Sequence, residues 1–236
     1  YIRASDLGKI KLNHFNWDEL SLRSEIEIKI NLNITKLTEI SNVLHSLLSE
    51  VYRSWFIDFD PIRAREVGNL PYGFNEEQAQ AFPKSFKDSE SGKIPEGWIH
   101  VRLSDLAKRT KETVNPRHSP DVEFLHYSIP SFDAGQLPSL TIGKDIQSNK
   151  FIVPENSVLL SKLNPRWNRV WIPEYSKENV SICSTELLPW VPKNGVSIFY
   201  LYSLMVSEPF RWLMDSRISG TTGSHQRVRP EECENI

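Results

Sequence analysis

The strongest constraint on the fold is a heptad pattern that runs from Lys29 to Phe59 without a glycine or a proline. Apolar residues recur at every seventh position and again in the intervening half-turns, as in one seam of a coiled coil, which indicates one partner helix. Pro61 lacks an amide hydrogen and disfavours a helical Asp60, so a helix over residues 26–60 is predicted to stop near Phe59. A core helix of a globular domain is the less favoured interpretation. The residues predicted to pair with a helix or a partner subunit are Ile30, Leu37, Leu44, Val51, Trp55 and Phe56.

The predicted helix ends in an aromatic and acidic run, Ser54–Arg63. Three aromatic and two acidic side chains at a helix end most often form a local cap that seats the helix on the neighbouring domain. This cap is the favoured interpretation, and a docking surface for another subunit is the competing one.

The composition is typical of a soluble chain, with 236 residues, 39% hydrophobic residues and a net charge of −2. The apolar run Val196–Val206 is too short to span a membrane, and no secretory start is visible, so we expect a cytoplasmic protein without membrane contacts. Cys183 and Cys233 form no paired metal motif, and the six histidines lack ligand spacing. Neither a metal nor another cofactor is expected.

Prolines and glycines divide the chain into four parts. Residues 1–25 are predicted to be an irregular lead-in or the remnant of a preceding domain, 26–60 the long helix, 61–92 an ordered linker without regular structure, and 93–236 a second domain. Within the second domain, strand patterns occur at 101–106, 124–129, 157–161, 169–172 and 180–183, and a helical pattern occurs at 198–215. The predicted fold class is α+β, with a long coiled-coil-type helix joined to a mixed α/β domain.

Cations cluster in two segments of the second domain. The segment from Lys144 to Trp171 contains five lysines and arginines and two acidic residues. The segment from Arg211 to Arg229 contains four arginines and one acidic residue, Asp215. Between them lie Trp, Asn, Ser, His and Gln side chains that can stack on bases or hydrogen-bond to them. The pattern favours two basic segments on one nucleic-acid-binding face, and a solvated loop with surface ion pairs is the alternative.

Five separated motifs carry a resemblance to one protein family. They are Lys29–Asn33 with Arg53–Ala64 at the two ends of the helix, Gly92–Trp98, Ser128–Asp133, Leu160–Arg166 and Gly220–Val228. In order and spacing they resemble the specificity subunits of Type I restriction-modification systems, over roughly residues 26–236. The resemblance implies a central conserved helix followed by a non-catalytic target recognition domain in residues 93–236.

The resemblance also implies partners. A full subunit of that family has two recognition domains alternating with two long helices that pair antiparallel. The implied partners are double-stranded DNA, modification subunits that methylate adenine, and a restriction subunit that translocates and cleaves DNA. Residues 1–25 do not match the family, and the second long helix is absent. The chain is therefore expected to be either a fragment or a half-subunit that forms a homodimer through its long helix.

Roles for individual residues follow from the resemblance and from base chemistry. Lys162, Arg166 and Arg169 are expected to position the DNA backbone, because cations pair with phosphates. Asn164 or Asn168 is a candidate for bidentate reading of adenine.

The 220–228 motif contains two glycines that allow its backbone and side chains to approach phosphates or bases closely. The alternatives are that Leu160–Arg166 is a scaffold in which Arg166 pairs with Glu186, and that Ser224-His225-Gln226 caps the core of the domain. The complete set of candidate DNA-binding residues is Lys162, Asn164, Arg166, Asn168, Arg169, Thr221, Thr222, Ser224, His225 and Arg227.

Two other functions were weighed against DNA reading. Asn164-Pro165-Arg166-Trp167 is similar to the Asn-Pro-Pro-aromatic motif of amino-methyltransferases, but Arg166 occupies the second proline position. No Gly-x-Gly turn is present to hold S-adenosylmethionine. A stand-alone methyltransferase fragment and a coiled-coil adaptor without DNA affinity are therefore the alternatives.

Overall fold

A computed structural model describes residues 17–90, 92–174, 176–219 and 226–236, and of residues 17–20 it describes the backbone alone. The chain divides into two compact units, Tyr1–Leu48 and Ser49–Ile236. The first helix, α1, is Trp17–Phe56 and contains 40 residues. It begins well before residue 26, so the predicted irregular lead-in is helical from Trp17 onwards. No glycine or proline interrupts residues 17–25, which explains why the helix continues through them.

The end of α1 differs from the prediction in its details. The amides of Ile57 and Asp58 both donate to the carbonyl of Arg53, at 2.9 and 2.8 Å, and close the last turn. Phe59 then takes a left-handed φ of 59°. A second helix, α2 (Asp60–Glu66), begins directly afterwards with its proline in the first turn. The proline therefore starts a new helix in addition to ending the long one, because its fixed φ suits the first helical turn.

The predicted linker over residues 61–92 has regular structure, so the prediction of an irregular segment was wrong. It contains most of α2, a helix α3 (Glu76–Gln80) and a strand β1 (Phe86–Ser89). Asn75 caps α3, since its side chain accepts from the Gln78 amide at 2.8 Å while Gln78 Oε1 accepts from the Asn75 amide at 3.0 Å. Strand β1 pairs antiparallel with β2 (Gly92–Pro95), and this hairpin crosses the predicted domain boundary.

Two sheets form most of the remaining structure. Their strands are β3 (Ala107–Arg109), β4 (Thr113–Val114), β5 (Glu123–Tyr127), β6 (Ser139–Ile142), β7 (Lys150–Ile152), β8 (Val158–Ser161), β9 (Val170–Trp171), β10 (Val180–Cys183) and β11 (Leu187–Pro192). One sheet has the strand order β3-β11-β8-β9 and the other has the order β4-β7-β10-β5-β6. Strands β5 and β10 run parallel, whereas the other pairs are antiparallel. A further pair joins β12 (Ile218–Ser219) to β13 (Arg227–Val228).

Five short helices accompany these strands. Helix α6 packs on β8, β9 and β11, and α7 packs on α6. The helices are α4 (Leu103–Leu106), α5 (Ile129–Asp133), α6 (Ile198–Val206), α7 (Glu208–Asp215) and α8 (Pro230–Glu234). Short 3-10 turns occur at Pro116–His118 and Gly143–Asp145.

A hydrophobic core lies between the two large sheets. Tyr127 and Cys183 from one sheet meet Leu159, Trp171 and Leu187 from the other, and all five are buried. The rings of Tyr127 and Trp171 are edge-to-face with centroids 4.7 Å apart. The predicted α+β class is confirmed by this arrangement of a long helix and a mixed α/β domain.

Two further secondary-structure predictions, both in the second domain, were wrong. The pattern at 101–106 forms the short helix α4 ahead of β3, although it was predicted to be a strand and turn. The single helix predicted over 198–215 is broken at Ser207, whose hydroxyl accepts from the Phe210 amide at 3.4 Å and caps α7. Pro209 has no amide hydrogen to continue the α6 ladder, so a second helix begins here. None of the helices in the described ranges is long and apolar enough to cross a membrane.

Candidate nucleic-acid interface

The two cationic segments that the sequence placed on one face lie side by side. The Asn164 amide donates to the Gln226 carbonyl at 2.8 Å, and the Val228 amide donates to the Lys162 carbonyl at 3.0 Å. Leu163 and Arg227 form an antiparallel bridge between these two hydrogen bonds. Residues 162–169, named the basic loop here, are therefore joined by backbone hydrogen bonds to the segment that carries Arg227.

One carboxylate lies between cations from the two segments. Arg227 Nε is 3.1 Å from each carboxylate oxygen of Glu186, and Lys162 Nζ is 3.9 Å from Oε2 of the same group. Glu186 thus contacts Arg227 and Lys162, whereas the alternative interpretation paired it with Arg166. The side chains of Lys162 and Glu186 are 19% and 23% exposed, whereas that of Arg227 is 44% exposed. One carboxylate faces two cations, so positive charge remains in excess at this point.

Two polar side chains of the basic loop, those of Asn168 and Arg169, bind groups elsewhere in the protein and hold the loop in place. The Asn168 side chain donates to the carbonyl of Val206 at 2.7 Å, and this carbonyl belongs to the last residue of α6. Arg169 binds Asp133 through two parallel hydrogen bonds of 2.7 and 2.8 Å, and its side chain is 13% exposed. The Arg169 guanidinium holds the pKa of the Asp133 carboxyl below its usual range. Asn168 and Arg169, both predicted to touch DNA, thus have partners within the protein.

Asn164 shapes the start of the loop. Its backbone takes a left-handed φ of 46°, which asparagine tolerates better than most residues. The Trp167 amide donates to the Asn164 carbonyl at 2.9 Å and closes a turn over the intervening Pro165 and Arg166. The predicted reading of adenine by Asn164 stays a prediction.

Arg166 and Trp167 lie on the surface of this anchored loop. Both are exposed, Trp167 by 58%, and the guanidinium carbon of Arg166 lies 6.0 Å from the centroid of the Trp167 ring. Arg166 was among the predicted residues, whereas Trp167 was noted as a possible stacking side chain without being selected. The signal that could have selected it is an aromatic residue flanked by Arg166, Asn168 and Arg169.

Four predicted residues, Thr221, Thr222, Ser224 and His225, lie outside the described residues. The strands that precede and follow them, β12 and β13, are paired, with Ser219 opposite Arg227.

The predicted helix-pairing residues fall into two groups. Ile30, Leu37, Leu44 and Val51 are 52%, 65%, 60% and 41% exposed, as a surface awaiting a partner helix would be. Further exposed apolar residues on the same helix are Ile26, Ile34, Ile40 and Leu47.

Trp55 and Phe56 belong instead to an aromatic cluster within the Ser49–Ile236 unit. Ring centroids are 5.0 Å apart for Trp55 and Phe74, and 6.0 Å apart for Phe56 and Trp98. Both side chains are only partly buried by these contacts, and their assignment to a helix-pairing or partner surface stays a prediction. The favoured interpretation of this run as a local cap agrees with these contacts.

Desolvation favours the neutral forms of three titratable groups in the second unit, Cys183, Cys233 and His126. Burial raises the pKa of the Cys183 thiol and raises that of Cys233 to about 12, and both thiols are free of disulfides. Burial and the nearby Lys150 lower the pKa of His126 to about 4. Across the described ranges, no three His, Cys, Asp or Glu side chains are grouped so that they could hold a metal ion.

Comparisons with known proteins support the resemblance seen in the motifs. No protein-family model matches the chain. It is 35% identical over 98 residues, 39% of its length, to the Type I restriction enzyme HindI specificity subunit of Haemophilus influenzae, and it spans only 20% of that relative's length. The fold is similar to a chain from a structural study of complex assembly and conformational transition of the type I R-M system, with a TM-score of 0.52 and 21% identity, covering 61% of this chain and 37% of the other.

A crystal structure of the HsdS subunit from Thermoanaerobacter tengcongensis also matches, with a TM-score of 0.39, 15% identity and coverage of 90% of this chain and 45% of that one. The resemblance to Type I specificity subunits that the five motifs indicate is confirmed by the sequence match, and the similarity to the first structure confirms the fold. The chain spans less than half the length of each of these proteins.

Proposed function

We propose that this chain recognises DNA sequence as a specificity subunit, or part of one, of a Type I restriction-modification complex. On this proposal it contributes no catalysis, and partner subunits methylate adenine or cleave DNA at the sites that it selects. It would act in the cytoplasm, where a bacterial chromosome lies.

The observation that carries this proposal is the junction between the basic loop and the Arg227 segment. Two family-like motifs, far apart in sequence, lie side by side through backbone hydrogen bonds at Asn164 and Val228. Lys162 and Arg227 from the two motifs share one carboxylate, so their combined positive charge exceeds its negative charge. A rigid surface with excess positive charge suits phosphate contacts that fix the protein's register on a duplex.

The residues of this surface take different roles in the proposal. Arg166 is exposed and would contact phosphate or a guanine edge directly. Lys162 and Arg227 would reach phosphates at the junction. Asn168 and Arg169 would hold the loop in position through their partners within the protein.

The exposed apolar residues of α1 provide the proposed assembly surface. Apolar residues at Leu37, Ile40, Leu44 and Leu47 alternate three and four positions apart, which is the spacing of a coiled-coil seam. The partner would be another long helix, supplied either by the rest of a longer subunit or by a second copy of this chain. Such pairing would hold two recognition domains a fixed distance apart, which a flexible linker would not. Modification and restriction subunits would assemble on this framework.

Selection from randomised duplexes tests DNA recognition directly. The 236-residue chain should enrich one defined sequence, and the logarithm of its affinity should fall linearly with the logarithm of the salt concentration, because phosphate contacts release counterions. Arg166→Ala and Arg227→Ala should weaken binding, whereas the charge-matched control Lys177→Ala should not. A chain that enriches no sequence and shows no salt dependence would instead be a coiled-coil adaptor, and the proposal would fail.

Coexpression with a modification subunit, followed by mapping of adenine methylation, tests the role in the complex. A methylated motif that requires this chain is the expected result. A palindromic motif would indicate a symmetric pair of chains, and an asymmetric bipartite motif would indicate part of a longer subunit. Absence of any chain-dependent methylation would contradict the proposed partnership.

A further inference from the structure

We propose that Trp167 is a base-contacting residue of this surface, with its indole stacked against a base of the bound DNA. The inference rests on the proposed function and selects one residue from the tryptophans that the sequence offers as possible stacking groups. It follows from the way in which the basic loop is built.

The loop is pinned on both sides of Trp167. Before it, the Asn164 amide and the Val228 amide complete the backbone ladder with the neighbouring segment, at 2.8 and 3.0 Å. After it, Asn168 is tied to the end of α6 and Arg169 to Asp133. These hydrogen bonds fix the backbone on both sides of Trp167, so the loop holds the exposed indole away from the core.

The indole itself is left uncovered by this arrangement. Trp167 remains 58% exposed, in contrast to Trp171, four residues later, which is 6% exposed and packs against Tyr127. The same stretch of chain therefore buries one tryptophan and presents the other. Presentation of a large aromatic group by a rigid loop lowers the entropy lost when that group binds.

The charge around the indole selects the kind of partner. The Arg166 guanidinium lies over the ring at 6.0 Å from its centroid, and Lys162 and Arg227 lie on the adjoining ladder. A base that is unstacked from its neighbours in the duplex satisfies both features, because it offers an aromatic face to the indole and a phosphate to the cations. An apolar protein surface would satisfy only the indole and would leave the arginine in a less favourable environment.

The test compares three variants of the full chain on the duplex enriched by selection. Trp167→Ala should weaken binding about 5- to 140-fold, the range that corresponds to loss of one aromatic stacking contact. Trp167→Phe should retain binding to within about threefold, because a phenyl ring can still stack. Tyr72→Ala removes another aromatic side chain, fully exposed in the structure, and should leave affinity unchanged. Far-UV circular dichroism of each variant confirms that the fold is intact.

A spectroscopic measurement reports the contact itself. Duplex binding should quench the tryptophan fluorescence of the wild-type chain, and Trp167→Phe should lose most of that quenching, whereas Trp212→Phe should keep it. Replacing single bases of the duplex by 2-aminopurine should identify one position whose emission changes with wild type and not with Trp167→Ala.

The outcomes separate this inference from the proposed function. Sequence-selective binding by wild type, with unchanged affinity and quenching in the Trp167 variants, would overturn the stacking role and leave DNA recognition standing. A wild-type chain without sequence preference would overturn the proposed function, and the stacking role with it. Loss of modification-subunit binding in Trp167→Ala, without loss of DNA affinity, would assign the indole to a protein partner instead.

Discussion

Asn168→Ala tests whether this asparagine holds the basic loop or reads a base. Val206 is the last residue of α6, and its carbonyl is among those that a helix end leaves without an intrahelical partner. The Asn168 side chain supplies a donor at 2.7 Å. Truncation removes this hydrogen bond and leaves the carbonyl dependent on water.

The expected magnitude follows from the burial of the two groups. A net loss of about 0.5–1.5 kcal/mol is typical of one hydrogen bond, and a fully buried orphan would cost about 1–3 kcal/mol. Asn168 and Val206 are both only partly buried, so water can reach the carbonyl and about 1 kcal/mol is the better figure. For a unit the size of Ser49–Ile236, this corresponds to a fall in Tm of about 2–4 °C.

Urea unfolding followed by fluorescence measures the loss, with Asn194→Ala as the control because Asn194 is exposed in a turn. Asn168→Ala should also weaken DNA binding by a few-fold without changing the selected sequence, since the loop is loosened and no reading group is lost. Unchanged stability, combined with relaxed preference at one adenine of the selected sequence, would refute the anchoring argument and restore the role in base reading.

Three further perturbations follow from the same structure. Arg166→Ala should make the negative slope of log affinity against log salt shallower by about 0.9, as expected for loss of one phosphate contact. An unchanged slope would contradict that contact. Below pH 6.5 the unfolded chain protonates His126 while the folded chain keeps it neutral down to about pH 4, so the free energy of unfolding should fall as pH drops through this window. Partial exposure of the imidazole limits the loss to about 2 kcal/mol, and His126→Phe should flatten the dependence in chemical unfolding at several pH values. Leu44→Asp should abolish assembly through α1 in sedimentation experiments and leave the melting of the second unit unchanged, because Leu44 is 60% exposed.

The elements that the sequence predicted well are those with strong local signals. The strand patterns near Phe124, Val158 and Ile182 contain buried apolar residues that alternate with polar ones or form short runs, and all became strands. The long helix followed from its heptad spacing. Its beginning was missed although Asn16, directly before Trp17, and the acids Asp18 and Glu19 are typical of a helix start, and its end shifted because Pro61 suits the first turn of a new helix.

The site was harder to predict, because residue type does not reveal a partner that is distant in sequence. Arg169 and Asp133 lie 36 positions apart, and Arg227 and Glu186 lie 41 apart, so no local pattern could show that these cations have carboxylate partners. The adjacency of the two motifs was inferred from their shared composition, and the structure provides the backbone ladder that explains it.

The carboxylate of Glu186 acts as a counterion that is built into the protein. Wherever this surface meets DNA, a phosphate must compete with Glu186 for Lys162 and Arg227 before it gains from either of them. On the proposed function, these two cations would attract a duplex of random sequence less strongly than two unpaired cations. The competition from Glu186 would persist at low salt, because the carboxylate is part of the protein. On the proposed function, a duplex that also offers the correct base edges would overcome this competition, and the acidic residue would raise selectivity by weakening the binding that every sequence shares.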